Sequence, residues 1–413
     1  MKTTTSAIAA LAAMIVAGCS STTASTAVHS AAGSPAISTS TTAAQPAAHG
    51  VDVALETIPW VQVGPGWMLA TWSPVTGTRP GEERPKNEPS RDAATTTLYV
   101  VSPAGGRYPI TTFPPPGDKP DVELVDWSGE GSKALFYSEY SKPSQAIVVD
   151  LHTGKQTAVT VDGFTRFTRP DGKALLVGHV GDSSHPSSLE RVDLAGKPQL
   201  TYPTDKLENQ FTGRYLSTPD GTRLVLGTSA GLSLMGNDGV RGSTLLIPGQ
   251  SDCSPVRWWD GAPDTTVLAN CTSSDSWYTS SLWRVPIDGG ASTALTAPNN
   301  GKNGGRDLGD VNAWQLPAGT FVQALGACGV IYLARLNDDG TTTPVSVPEV
   351  GDGKSIQVIG ADGAGLDLEA QAACGGGQSL LRYDPASNTS TVLLGPPVNG
   401  GGVIDAMPFA GRR

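Results

Sequence analysis

The chain is poor in histidine, in positive charge and in helical periodicity, and each shortage removes a class of function. Its 413 residues include 5 histidines, and none follows His185, so a hydrolase triad that ends on a late histidine has no base. No segment carries the 3.6-residue apolar period of an amphipathic helix, which excludes bundles and helix-covered sheets. Lys and Arg total 28 against 38 Asp and Glu, a formal charge of −10. A nucleic-acid surface needs a basic face. None is present, so no nucleic-acid partner is expected.

What the chain does have is glycine, proline and repetition. A β-rich run returns about every forty residues with its turn signals at similar places. The clearest copies open on Pro170-Asp171-Gly172-Lys173 and Pro219-Asp220-Gly221-Thr222, and a weaker one on Ser128-Gly129-Glu130-Gly131. One such unit is a single sheet that cannot bury its own faces, so neighbouring units must stack. Runs of β-branched and aromatic residues between Gly, Pro, Asp and Asn predict seven units of four strands. The first comprises 58–63, 66–73, 97–102 and 107–113. The others span 122–161, 164–202, 213–247, 255–295, 311–347 and 355–394. Two strand-like stretches, 51–57 and 403–409, lie outside this count. A closed ring leaves no unpaired edge, so at least one of them is expected to complete a blade shared by the two termini.

The turns at Pro170-Asp171-Gly172 and Pro219-Asp220-Gly221, with Asp150-Leu151-His152-Thr153-Gly154-Lys155, resemble the TolB-like, WD-related propeller repeat. The match is best over residues 122–230. The resemblance implies an all-β, seven-bladed β-propeller (six or eight blades being the alternatives) and a binding scaffold more than any one reaction. Trp127, Trp258, Trp259 and Trp314 are then expected in innermost strands, filling the gaps between sheets.

The N-terminus reads as a targeting segment. Lys2 precedes an apolar stretch from Ala7 to Ala17, too short for the ~20 residues of a membrane-spanning helix. Val16-Ala17-Gly18-Cys19 resembles the lipobox of bacterial lipoproteins. That likeness implies a signal peptide over 1–18, acyl (palmitate) chains on Cys19, and a lipid-anchored, extracytoplasmic protein of the bacterial envelope. Residues 19–50 are Ser, Thr, Ala, Gly, Pro and Gln with few apolar side chains, a composition that predicts a disordered tether. Thirty such residues reach about 30 Å. The propeller is assigned to 51–413, and a monomer is expected.

Function should lie on one face. The turns joining strands a to b and c to d are tight, as at Asp238-Gly239 or Asp338-Asp339-Gly340, and offer little to recognise. The long connections fall on the opposite rim: 74–96, 181–187, 272–280 and 299–310. Trp277, Tyr278, His179, His185, Arg306, Asp307 and Asp310 are the expected binding residues there. Four cysteines also map to it. Of three possible pairings, their places at strand ends favour Cys253–Cys271 and Cys328–Cys374. No cysteine pair has the close spacing of a zinc knuckle, so no metal and no cofactor is expected.

These features predict a non-catalytic lipoprotein that binds an envelope protein or glycan through the loop-rich rim. The alternative is a propeller hydrolase or lyase, lactonase-like or glycan-cleaving, using acids near the central channel. Asp367 and Glu369, alternating on one strand, are the acids placed to line the channel or face solvent. Gly227-Thr228-Ser229-Ala230-Gly231 matches a nucleophile elbow by letter only; a strand follows it, so it reads as a hairpin turn.

Overall fold

The computed structural model describes residues 47–76, 86, 88–116, 122–138, 144–182, 184–261, 265–298, 309–325, 331–350, 354–372 and 377–410. Cys19, Arg306, Asp307, Cys328 and Cys374 lie outside the described residues, as do the signal segment and most of the expected tether.

Seven four-stranded antiparallel sheets form a closed β-propeller. Strands are lettered a to d from the channel outwards. Blade one is Gly402–Pro408, Met68–Ser73, Thr96–Val101 and Arg107–Phe113; blade two is Glu123–Trp127, Lys133–Ser138, Gln145–Asp150 and Gln156–Thr160. Blade three is Phe164–Phe167, Ala174–His179, Ser188–Asp193 and Pro198–Thr201; blade four is Phe211–Ser217, Arg223–Thr228, Gly231–Gly236 and Arg241–Leu246. Blade five is Gln250–Trp258, Thr266–Ser273, Ser276–Pro286 and Thr293–Ala294. Blade six is Asn312–Leu316, Gly319–Leu325, Ile331–Leu336 and Thr342–Pro344; blade seven is Lys354–Asp362, Gly365–Ala372, Gly377–Asp384 and Thr389–Leu394.

Second strands are continuous apolar runs because neighbouring sheets cover both of their faces. Leu175, Leu176 and Val177 are fully buried in blade three, as are Leu224, Val225 and Leu226 in blade four. Outer strands face solvent instead; of Gln156–Thr160 only Val159 is buried. Apolar clusters fill each gap between adjacent blades, including the seam where Leu380 and Leu394 meet Met68 and Ala70. Each fully buried Leu or Val contributes about 1.5–3 kcal/mol, so the ring is held by its interfaces.

Closure comes from the C-terminal strand. Gly402–Pro408 pairs with Met68–Ser73 as the innermost strand of blade one. Residues 58–63, expected in that place, instead carry a 3-10 turn at Trp60–Gln62. Pro59 offers no N–H to a ladder, which favours the turn. The other N-terminal stretch reaches only an isolated bridge, Asp52 to Arg107, on the outer strand. The last residues of the expected tether are also docked. Ala47 N donates to Tyr108 Oη at 2.7 Å, Gly50 N donates to Gly105 O, and His49 Nε2 lies 2.7 Å from Val392 O.

Blade five departs from expectation twice. Cys253 lies inside the first strand rather than before it, and residues 272–280 are not a loop. Strands b and c run on to a turn at Ser274 and Asp275, pairing Thr272 with Ser280. The Thr, Trp and Tyr content of this stretch favours strand, which its polarity alone conceals. Trp277 and Tyr278 are therefore strand residues.

Trp127, Trp259 and Trp314 are buried as expected. Trp259 sits just past the end of its strand, and Trp258 is half-buried with Nε1 donating to Ser217 O at 3.0 Å. Ser229 and Ala230 form the tight turn expected of the elbow-like letters.

Candidate functional site: the loop-rich rim and the channel beneath it

The two rims differ in how their polar groups are satisfied. On the tight-turn rim, aspartates cap their own turns. Asp220 accepts from Thr222 N and Oγ1, Asp339 from Thr341 N and Oγ1, and Asp384 from Ala386 N and Ser387 Oγ. Hydrogen bonds from Thr218, Thr341 and Ser387 lead the forces that hold these three carboxyls below the usual range. This rim is a row of closed local networks with little left to offer a partner.

The opposite rim carries a cavity of about 800 Å³ between blades two, three and four. Glu123, Tyr137, Asp162, His179, Asp182 and His185 line it, with Phe164 and Arg214 at its inner side. His179 ends strand b of blade three, with Nε2 3.8 Å from Glu190 Oε1. His185 stands on the following loop, Nδ1 3.4 Å from Asp182 Oδ1. Asp182 organises that loop by accepting from Ser184 N, Ser184 Oγ and His185 N, and those bonds, Ser184 foremost, hold its carboxyl below the usual carboxylate range. The two histidines expected on the binding face thus share one cavity.

Asp310 does not join them. Its carboxylate accepts from Ser280 Oγ and its carbonyl from Asn270 Nδ2, tying the link between blades five and six to blade five. Trp277 and Tyr278 likewise belong to a strand of blade five. In the blade-one insert, Thr76 N donates to Glu88 Oε2 at 2.9 Å and Thr76 Oγ1 to Glu88 Oε1 at 2.5 Å.

Cys253 and Cys271 bring their sulfurs within 2.12 Å across strands a and b of blade five, a disulfide-compatible pair. A bulge sets Asp252 and Cys253 together opposite Cys271, with Asp252 at φ 43°. Bulges re-aim side chains in this way. Both cysteines are fully buried.

The channel corrects the expectation of acids. Asp367 and Glu369 neither line it nor face solvent; they are buried in strand b of blade seven, where adjacent sheets enclose both faces. Asp367 Oδ1 accepts from Arg382 Nε at 3.0 Å. Burial pushes the Asp367 carboxyl up to about 6 despite that cation. The channel wall around blades two to four carries arginine instead. Arg166, Arg169 and Arg214 line a cavity of about 380 Å³ in which Asp126 is the one carboxylate among the lining residues. Asp126 is fully engaged: Oδ1 accepts from Trp127 N and Arg169 Nη2, and Oδ2 from Phe167 N. A hydrolase of the expected kind has no free acid pair there among the described residues. Sequence reasoning missed these arginines. Their signal was a polar position on an innermost strand, in Phe164-Thr165-Arg166-Phe167 and in Gly213-Arg214.

No family model matches the sequence, and no curated protein matches it. Solved structures do. A hypothetical selenium-binding protein from Sulfolobus tokodaii is 11% identical with a TM-score of 0.50, covering 88% of this chain and 98% of that one. TolB from Acinetobacter baumannii is 12% identical with a TM-score of 0.43, over 83% of this chain and 66% of its own. A prolyl endopeptidase, at 13% and 0.46, matches 78% of this chain, which spans about half, 49%, of the enzyme. At such identities a likeness speaks for the fold alone, and the strand order makes that fold a seven-bladed β-propeller.

Proposed function

We propose that this chain is a lipid-anchored extracytoplasmic binding protein that recognises a protein or glycan of the cell envelope through its loop-rich rim. The reading rests on one contrast. The rim of tight turns consumes its own polar groups, whereas the opposite rim opens a cavity of about 800 Å³ lined by ionisable side chains and an aromatic ring. Recognition sites are concave and carry a few polar groups that fix orientation. Lipidation at Cys19 would hold this surface near the membrane, with the following segment as its tether.

Capture from envelope extract by the full chain tests the reading. Charge reversal at the rim, Glu123→Lys with Asp182→Lys, is expected to abolish capture of the partner, while Asp339→Asn on the tight-turn rim leaves it intact. Loss of capture through the tight-turn variant alone would refute the assignment of the face. Turnover of a lactone or glycan panel by the purified chain would replace binding with catalysis. For the anchor, Cys19→Ser is expected to move the protein from the membrane fraction to the soluble fraction.

A further inference from the structure

The channel cavity of about 380 Å³ lies deeper than the rim cavity, and Phe164 and Arg214 line both. Its charge is unbalanced. Three arginines face it against one aspartate, and Arg169 already takes that aspartate at 2.6 Å. Arg166 and Arg214 have no carboxylate within ion-pair distance among the described residues. Instead both guanidinium carbons lie against the Phe164 ring, at 4.8 Å and 5.5 Å from its centroid. A ring face eases a cation's desolvation only in part. Burial accordingly pushes the Arg166 pKa down, with Asp126 acting against it.

The backbone is bent to present one of these arginines. Strand a of blade four slips register between Phe211 and Tyr215, and Gly213 within the slip sits at φ 88°. A Cβ on Gly213 would meet Val180 Cα at 3.0 Å and His179 O at 3.1 Å. Glycine lets blade four approach blade three closely while the bulge turns Arg214 towards the cavity. Tyr215 closes the wall, its hydroxyl donating to Leu176 O at 2.7 Å.

We propose that Arg166 and Arg214 bind an oxyanion, a carboxylate or phosphate carried by a small molecule, in the propeller channel beside Phe164. Two guanidiniums present forked donors that match either group bidentately. Phe164 gives an apolar or planar portion of the ligand a surface to stack on. The site lies beneath the rim surface and does not depend on what that surface recognises.

Isothermal titration of the full chain with inorganic phosphate, phenyl phosphate and benzoate tests the proposal and separates the two oxyanions. At least one is expected to bind in equimolar ratio, more weakly as salt is raised. Arg166→Gln and Arg214→Gln should each lower the affinity about tenfold or more. Arg223→Gln, at an exposed position of blade four, should leave it unchanged. Stronger binding of phenyl phosphate or benzoate than of phosphate identifies Phe164 as part of the site. Absence of binding for all three anions overturns the proposal. So does unaltered affinity in Arg214→Gln, whose exposed side chain makes it the variant least able to disturb the fold.

Discussion

Asp126 Oδ1 lies 2.6 Å from Arg169 Nη2, and its other oxygen accepts the Phe167 N–H at 2.8 Å. One carboxylate from blade two therefore fixes both the inner strand of blade three and the turn that follows it. Asp405 does the same between blades one and two through Leu124 N, and Asp260 between blades five and six through Gln315 N. Replacing Asp126 by Ala takes the carboxylate from a half-buried arginine and leaves two backbone donors without their acceptor. The expected cost is about 3 kcal/mol, at the lower end for a broken buried pair. Denaturant unfolding of Asp126→Ala measures it, and a loss under about 1 kcal/mol would show the carboxylate to be dispensable.

Asp367 predicts a pH dependence. Its folded pKa, about 6, is raised above the ordinary carboxylate value because burial outweighs Arg382. The folded state therefore favours the protonated form. Its contribution is fully present below the unfolded pKa and is lost as pH rises through about 6. Melting temperature compared between the native chain and Asp367→Asn should diverge across this window. Parallel curves from the ordinary carboxylate range to neutrality would show that Asp367 titrates normally.

The Cys253–Cys271 bridge would close a loop with a sequence separation of 18. A loop of that size stabilises by about 3 kcal/mol in the chain-entropy account. Cys271→Ser should lower the unfolding free energy by that order, and peptide mapping without reductant should recover the cross-linked pair. Free thiols at both Cys253 and Cys271 in the unreduced, denatured chain would contradict the pairing.

Two glycines in tight turns should differ in their tolerance of a side chain. Gly221 has φ 72°, and a Cβ there would lie 1.8 Å from Arg169 O, a backbone atom in the turn of blade three. Gly363 has φ 60° with nothing within 4 Å. Gly363→Ala carries only the left-handed backbone cost of about 1 kcal/mol, whereas Gly221→Ala must also displace the neighbouring turn. Thermal melts of the two variants should rank Gly221→Ala well below Gly363→Ala. Equal melting temperatures would mean that the turns move freely.

The fold was legible because its determinants are local. Turn residues at a constant spacing set four strands per unit, and continuous apolar runs such as Leu175-Leu176-Val177 announce strands covered on both sides. The inequality of the rims followed from loop lengths, and Cys253 with Cys271 from their adjacency across one hairpin. The site was less legible. His179 and His185 could be placed on a face, but their cavity is built from blades two, three and four, which no local pattern aligns.

What the sequence by itself determined was the repeat, the strand count and the side on which long loops emerge, because turn chemistry and apolar runs act within a few residues. Only the tertiary structure decided that residues 402–408 displace 58–63 from the innermost place in blade one, since that choice compares segments at opposite ends of the chain. It also decided that the cavity in the channel is lined by three arginines against one carboxylate. Arg166, Arg214 and Asp126 come from separate blades, and their net charge exists only where the ring brings their innermost strands together.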